Sequence, residues 1–264
     1  MARKPYPSDL TDEQWESISA FFPPDGQDTG GRRRKTPMRE VVNAVLYLGR
    51  TGCQWRAMPH EFPPWQTVAG YFYKFRNNGT LERIHTTLRE KVRVQAQREP
   101  TPSAGILDSQ SVKTTENRGD CCGFDAGKKV KGRKRHIVVD TMGLLLGVVV
   151  HSGTIQDRDG AKLVLNKIQN IYPRLELIWA DGGYAGELIH WVASVCFWVL
   201  QIVKRSDDVK GFKLLPRRWV VERTFAWLGR YRRLSKDYET QTTSSEAHIY
   251  LAMINLMIHR LKAG

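Results

Sequence analysis

The sequence is poor in cysteine, and its few cysteines are badly spaced for their usual structural uses. Cys53, Cys121, Cys122 and Cys196 form no C-x-x-C pair and have no histidines at zinc-finger distance. That argues against both a zinc site and a disulfide framework, and for a reduced, cytoplasmic setting. No apolar run is long enough to cross a bilayer, and Met1-Ala2-Arg3-Lys4 leads into proline and acid instead of the apolar stretch of a signal peptide. No membrane association is therefore expected. Acid is also in short supply: 27 Asp and Glu stand against 41 Lys and Arg, a formal net charge of +14. A surface this basic points to a polyanionic partner, because neutralised phosphates release condensed counterions. Residues 1–102 hold 16 basic and 11 acidic residues and the remainder 25 and 16, so the excess is +5 and +9 and belongs to both parts.

What is present divides at a proline-punctuated stretch. Residues 1–98 read as helical. Thr11-Asp12-Glu13-Gln14 is a helix start, followed by Trp15, Ile18, Phe21 and Phe22 as an apolar stripe that Pro23-Pro24 ends. A second helix runs from about Thr36-Pro37 to Gly49. A third carries Trp65, Val68, Phe72 and Phe75 on one side and Gln66, Thr67, Tyr73, Lys74 and Asn77 mainly on the other, and a fourth runs from Leu81 to about Gln97. The polar face of the third suits a recognition helix in a major groove and equally an ordinary wet helix face. Arg32-Arg33-Arg34-Lys35, after two glycines, is a basic loop that could meet phosphates. Residues 99–104 are the expected linker.

Residues 105–264 change period. Strands are expected at Ile106–Lys113, Ile137–Asp140, Leu144–His151, Leu175–Ala180 and Phe197–Val203, with a hairpin turn at Thr141-Met142-Gly143. Helices are expected from Asp157 to Ile171 with Leu163, Val164, Ile168 and Ile171 inward, from Tyr184 to about Val195, around Glu222, and from Thr243 to Leu261. The order gives a mixed five-stranded sheet flanked by helices. In such sheets sites form beyond the carboxyl ends of strands.

Three acids stand in apolar settings within this order. Asp108 lies in a strand pattern, Asp181 ends a strand before Gly182-Gly183, and Glu222 sits among Val220, Val221 and Phe225. If the first and fourth strands are neighbours, Asp108 and Asp181 meet, and a following helix can bring Glu222 over them. Such a set suits hard divalent cations, which take oxygen ligands and serve phosphodiester displacement in pairs about 4 Å apart. Each acid also has a plainer reading, as a turn former or as a partner for Arg218. Asp140, Asp157, Asp159, Asp207 and Asp208 have local explanations at turns, helix starts and a polar loop, and are set aside.

Leu107-Asp108-Ser109-Gln110-Ser111-Val112-Lys113, Gly132-Arg133-Lys134-Arg135-His136, Ala180-Asp181-Gly182-Gly183-Tyr184 and Arg217-Arg218-Trp219-Val220-Val221-Glu222-Arg223-Thr224-Phe225-Ala226-Trp227-Leu228 together resemble bacterial insertion-sequence DDE transposases. Leu10–Trp15 and Trp55–Pro59 extend the resemblance over almost the whole chain. It implies an RNase H-like catalytic domain after a helix-turn-helix-like DNA-binding domain, with Asp108, Asp181 and Glu222 as catalytic ligands of Mg²⁺ or Mn²⁺, two ions with DNA bound. It further implies terminal inverted repeats and target DNA as partners, a homodimer in the complex, and residence in the bacterial cytoplasm and on the nucleoid. Of the wider group's Tyr, Arg, Glu, Lys signature, Arg218 matches, Leu215 replaces Tyr, and Gly229 stands at the Lys position beside Arg230. Arg218, Arg230, Arg232 and Arg233 are thus candidates for end-DNA phosphates, as are Lys131, Arg133, Lys134, Arg135 and His136, whose plainer reading is a solvated basic loop. An RNase H-like nuclease without strand transfer and a non-cutting DNA-binding regulator are the alternatives.

Overall fold

The computed structural model describes residues 3–24, 36–116, 119, 121–203 and 217–261. Arg32, Arg33, Arg34 and Lys35 lie outside the described residues. The chain forms two compact units: residues 1–97, 230–235 and 247–264, and residues 98–229 and 236–246. The stretch from residue 230 onward is thus divided between them. Within it, Tyr250–Met257 is apolar nearly all round and almost wholly buried.

The first unit is helical. Thr11 and Gln14 form a reciprocal capping box at the start of α1 (Asp12–Ser19). α2 (Met38–Thr51) ends on Gly52 at φ +73°, where a β-carbon would press on Arg232. Residues 52–64 lead to α3 (Trp65–Asn77), and the short turn Asn78-Gly79 leads on to α4 (Thr80–Gln95). Val68, Phe72 and Phe75 are buried, whereas Gln66, Tyr73, Lys74 and Asn77 are exposed and Thr67 half-buried. His248 stacks on Phe72 with centroids 4.7 Å apart, and Tyr250 meets His85 edge-on at 5.2 Å.

The second unit is a mixed sheet with helices. Its strands are β1 (Ala104–Lys113), β2 (Gly123–Asp125), β3 (Val130–Asp140), β4 (Leu145–Ser152), β5 (Leu177–Ala180) and β6 (Val199–Ile202). β1 lies between antiparallel β3 and parallel β5; β6 extends β5, and β4 and the short β2 both pair with β3. The expected adjacency of the first and fourth main strands is present as β1 beside β5. Asp140 shapes the hairpin turn by accepting from the amides of Met142 and Leu144, both at 2.8 Å. Gly143 follows at φ +81°.

α5 (Asp157–Ile168) packs Ala161, Val164, Leu165 and Ile168 onto Leu107, Val138 and Ile178. It stops three residues earlier than its apolar pattern suggested, so Ile171 is 54 % exposed, and Leu163 at 43 % lies on its outer side. Gly160 is required here: a β-carbon would overlap the rings of His136 and His151. α6 (Glu187–Trp191) runs into one wide turn, Val192–Cys196. α7 (Trp219–Leu228) carries Glu222, and α8 (Thr242–Ile258) begins in this unit and continues as part of the first.

Candidate active site

Each of the three acids is placed by a different backbone device. Asp108 sits midway along β1, opposite Ile137, with Oδ1 accepting from the Ser109 amide at 2.7 Å. Asp181 leaves the end of β5 and caps the turn Gly182–Tyr184, Oδ1 accepting from Gly183 N at 2.8 Å. Glu222 lies one turn after Arg218 on α7, with its side chain 60 % exposed. In both aspartates one oxygen is thus held by a nearby backbone amide and the other faces a shared partner.

That partner is Arg218. Its Nη2 lies 3.4 Å from Asp108 Oδ2 and 4.0 Å from Glu222 Oε1, and its Nη1 lies 3.5 Å from Asp181 Oδ2. The carboxylates gather on one guanidinium and not on one another: among the described residues no three acids, histidines or cysteines close into a metal-binding group. Burial raises the Asp108 carboxyl to about 6, against the opposing pull of the Ser109 amide and Arg218. A cation in the middle is what makes three acids tolerable at such a place.

Behind Asp108 lies a buried polar network. Ser109 Oγ donates to Asp157 Oδ1 at 3.1 Å, and Lys134 Nζ reaches Asp157 at 2.9 Å and Asp125 at 3.3 Å. His136 Nδ1 pairs with His151 Nε2 at 2.7 Å, and its Nε2 meets the Tyr184 hydroxyl at 3.2 Å. Burial, then the neighbouring His151, drives the His136 ring down to about 3, so it is neutral. Asp157 therefore does more than start a helix, and Asp125 joins it on Lys134 although nothing nearby in sequence marks that residue.

The basic run before the second expected strand is corrected by the structure. Lys131 is exposed, but Arg133, Lys134, Arg135 and His136 are interior residues of β3. Arg133 is fully buried; it donates to the carbonyls of Cys121, Glu239 and Thr240 at 2.7, 2.7 and 2.8 Å and pairs with Asp237 at 3.1 Å. Arg135 donates towards Gln110 Oε1 and the Lys236 carbonyl, and burial lowers it to about 10. Groups whose donors are used internally are not presented to a phosphate backbone. Of the other candidates, Arg230 and Arg232 are exposed, while Arg233 is buried and donates to the Cys53 carbonyl at 3.2 Å.

A mixed sheet in the order β4-β3-β1-β5-β6, with acids on β1, after β5 and on a later helix, defines an RNase H-like fold. The chain belongs to the family described as transposase DDE domain, which it matches over residues 99–258. Residues 10–85 match a second family, described as "Putative transposase of IS4/5 family". It is similar to "Putative transposase for insertion sequence element IS402" of Burkholderia cepacia, with 30 % identity over 127 residues, 46 % of this chain and 60 % of that protein. An uncharacterized protein, y4sN, of Sinorhizobium fredii is 32 % identical over 79 residues, 30 % of this chain and 62 % of its own length. The matches thus span about three-fifths of each curated relative. No helix among the described residues is long and apolar enough to cross a membrane.

Proposed function

We propose that this protein binds the terminal inverted repeats of its own insertion sequence, nicks the element ends and joins the freed 3′-hydroxyl to target DNA. The observation that carries the reading is the convergence of Asp108, Asp181 and Glu222, from three separate elements, on one cation. The donor set fits Mg²⁺ or Mn²⁺: all three ligands are hard oxygens, and they already surround a positive charge. Asp108, Asp181 and Glu222 would hold the ions, two with DNA bound. Such ions supply activation of the attacking oxygen and stabilisation of the leaving one.

The chain's own residues prepare this. The Ser109 and Gly183 amides fix one oxygen of each aspartate, so the free oxygens keep a constant direction. Arg218 holds the three carboxylates at one place before any metal arrives. In the first unit, the exposed face of α3 with Gln66, Tyr73, Lys74 and Asn77 is the surface for reading the repeats, in a domain of residues 1–98. A homodimer would hold the two ends together.

The test combines a DNA carrying the element's ends, a target plasmid and Mg²⁺. Joined product is expected from the wild-type protein and none from Asp108→Asn, Asp181→Asn or Glu222→Gln. A parallel Mn²⁺ titration should show weakened binding in each variant. Nicking without joining would favour a nuclease, and a mobility shift alone a regulator. Wild-type joining by all three variants would overturn the site.

A further inference from the structure

Three cations beside the carboxylate centre are held in place by neutral groups. Lys128 Nζ donates to the carbonyl of Ser109 at 2.8 Å and to its hydroxyl at 2.9 Å, immediately after Asp108. Arg158 Nε donates at 3.3 Å to the carbonyl of Gly183, in the turn that Asp181 caps. The Arg217 guanidinium lies 4.4 Å over the ring of Trp179, two residues before Asp181 on β5. Each acid-bearing element therefore has its own tethered cation: Lys128 at β1, Arg158 at the turn after β5, and Arg217 at the entry to α7.

All three are exposed, and none forms an ion pair among the described residues. In the same unit Arg133, Lys134, Lys162, Lys167, Arg174 and Arg218 all do. An ion pair orients a side chain and neutralises it; a carbonyl or an aromatic face orients it and leaves the charge for a ligand. Arg217 takes φ +69°, a left-handed backbone that costs a non-glycine residue about 1 kcal/mol or more. That kink parts two consecutive guanidiniums, sending Arg218 to the acids and Arg217 onto Trp179.

A phosphodiester approaching three carboxylates meets repulsion, and tethered cations around them offset it. We propose that Lys128, Arg158 and Arg217 form a phosphate-binding rim that seats the DNA backbone against the carboxylate centre. The proposal rests on the reading of that centre as the cutting site.

The experiment measures affinity of the full chain for a fluorescent duplex oligonucleotide between about 50 and 200 mM salt. Each lost phosphate contact lowers the slope of log K against log salt by about 0.9, so Lys128→Gln/Arg158→Gln/Arg217→Gln should lower it by about 2 to 3. Arg158→Lys and Arg217→Lys, which keep the charge, should stay near the wild-type slope. Arg174→Gln, whose guanidinium pairs with Glu99, is the comparator and should leave it unchanged. Single substitutions, each worth about 0.9, give the same reading if the triple variant does not fold. A wild-type slope in the folded triple variant overturns the rim, and so does an equal fall in Arg174→Gln. Mn²⁺ titration of the triple variant separates the two ideas. Unchanged cation binding with a lowered slope supports the rim, whereas Asp108→Asn retaining joining would sink the centre and leave the slope result standing.

Discussion

β3 and the entry to α7 carry similar sequence chemistry and put it to opposite uses. Arg133, Lys134 and Arg135 lie inside the second unit, their donors taken by Asp237, Asp157 and backbone carbonyls. Arg217 and Arg218 stand at its candidate site, one on an indole and the other on three acids. A basic run is not in itself a surface for nucleic acid. What decides is whether the fold supplies internal acceptors: Lys134 finds Asp157 and Asp125, and the two arginines find acceptors in a distant stretch, residues 236–246.

The largest expected contrast is in stability. Arg133→Met leaves Asp237 buried without its cation and should cost about 3 to 5 kcal/mol in urea unfolding. Arg217→Gln, an exposed change, should shift the same transition by no more than about 0.5 kcal/mol. Equal losses would erase the distinction between the two regions.

Next comes acid sensitivity, which belongs to the β3 side. The folded protein keeps His136 neutral down to about 3 and holds His151 below its ordinary value of 6.5, chiefly through burial. An unfolded chain protonates both rings near 6.5, so their contribution is complete above that pH and is lost as pH falls below it. Each ring adds up to about 1.4 kcal/mol per pH unit to that loss. His136→Gln should therefore show a shallower decline between pH 6.5 and 4.5 than the wild-type protein. An unchanged slope would mean that the ring is not kept neutral by the fold.

The smallest effect is expected at Arg218. Its guanidinium occupies the place a cation would take, so Arg218→Gln should lower stability without metal by about 1 kcal/mol. By the same margin it should raise Mn²⁺ affinity about fivefold. Weaker Mn²⁺ binding in this variant would show that Arg218 supports the cation and does not compete with it.

Much of the second unit could be read from residue order. Period-2 apolar runs mark five strands, and the acids stand out because they interrupt apolar surroundings. The start of β3 was hidden because Lys131 to His136 has a loop's composition. Counting back across the hairpin would have revealed it, since Ser152 at the end of β4 pairs with Arg133. β2, three residues long, has too little sequence to show a period. The placement of Leu163 and Ile171 failed for another reason: a helix's apolar stripe says nothing of where the sheet beneath it stops. Arg218 was readable as a neighbour of Glu222, but its reach to Asp108 and Asp181 depends on strand order, which no local pattern encodes.

Arg133 also has a consequence for how the chain comes into being. Its acceptors Asp237, Glu239 and Thr240 leave the ribosome more than a hundred residues after it. Until they do, β3 can pair with its hairpin partner β4 but must keep a charged group in water that the finished unit encloses. The nascent sheet therefore has a natural waiting point, with β3 incompletely covered and open to wrong pairings until the segment after α7 arrives. A product terminated before residue 237 would hold every strand of the sheet and still lack the means to close it.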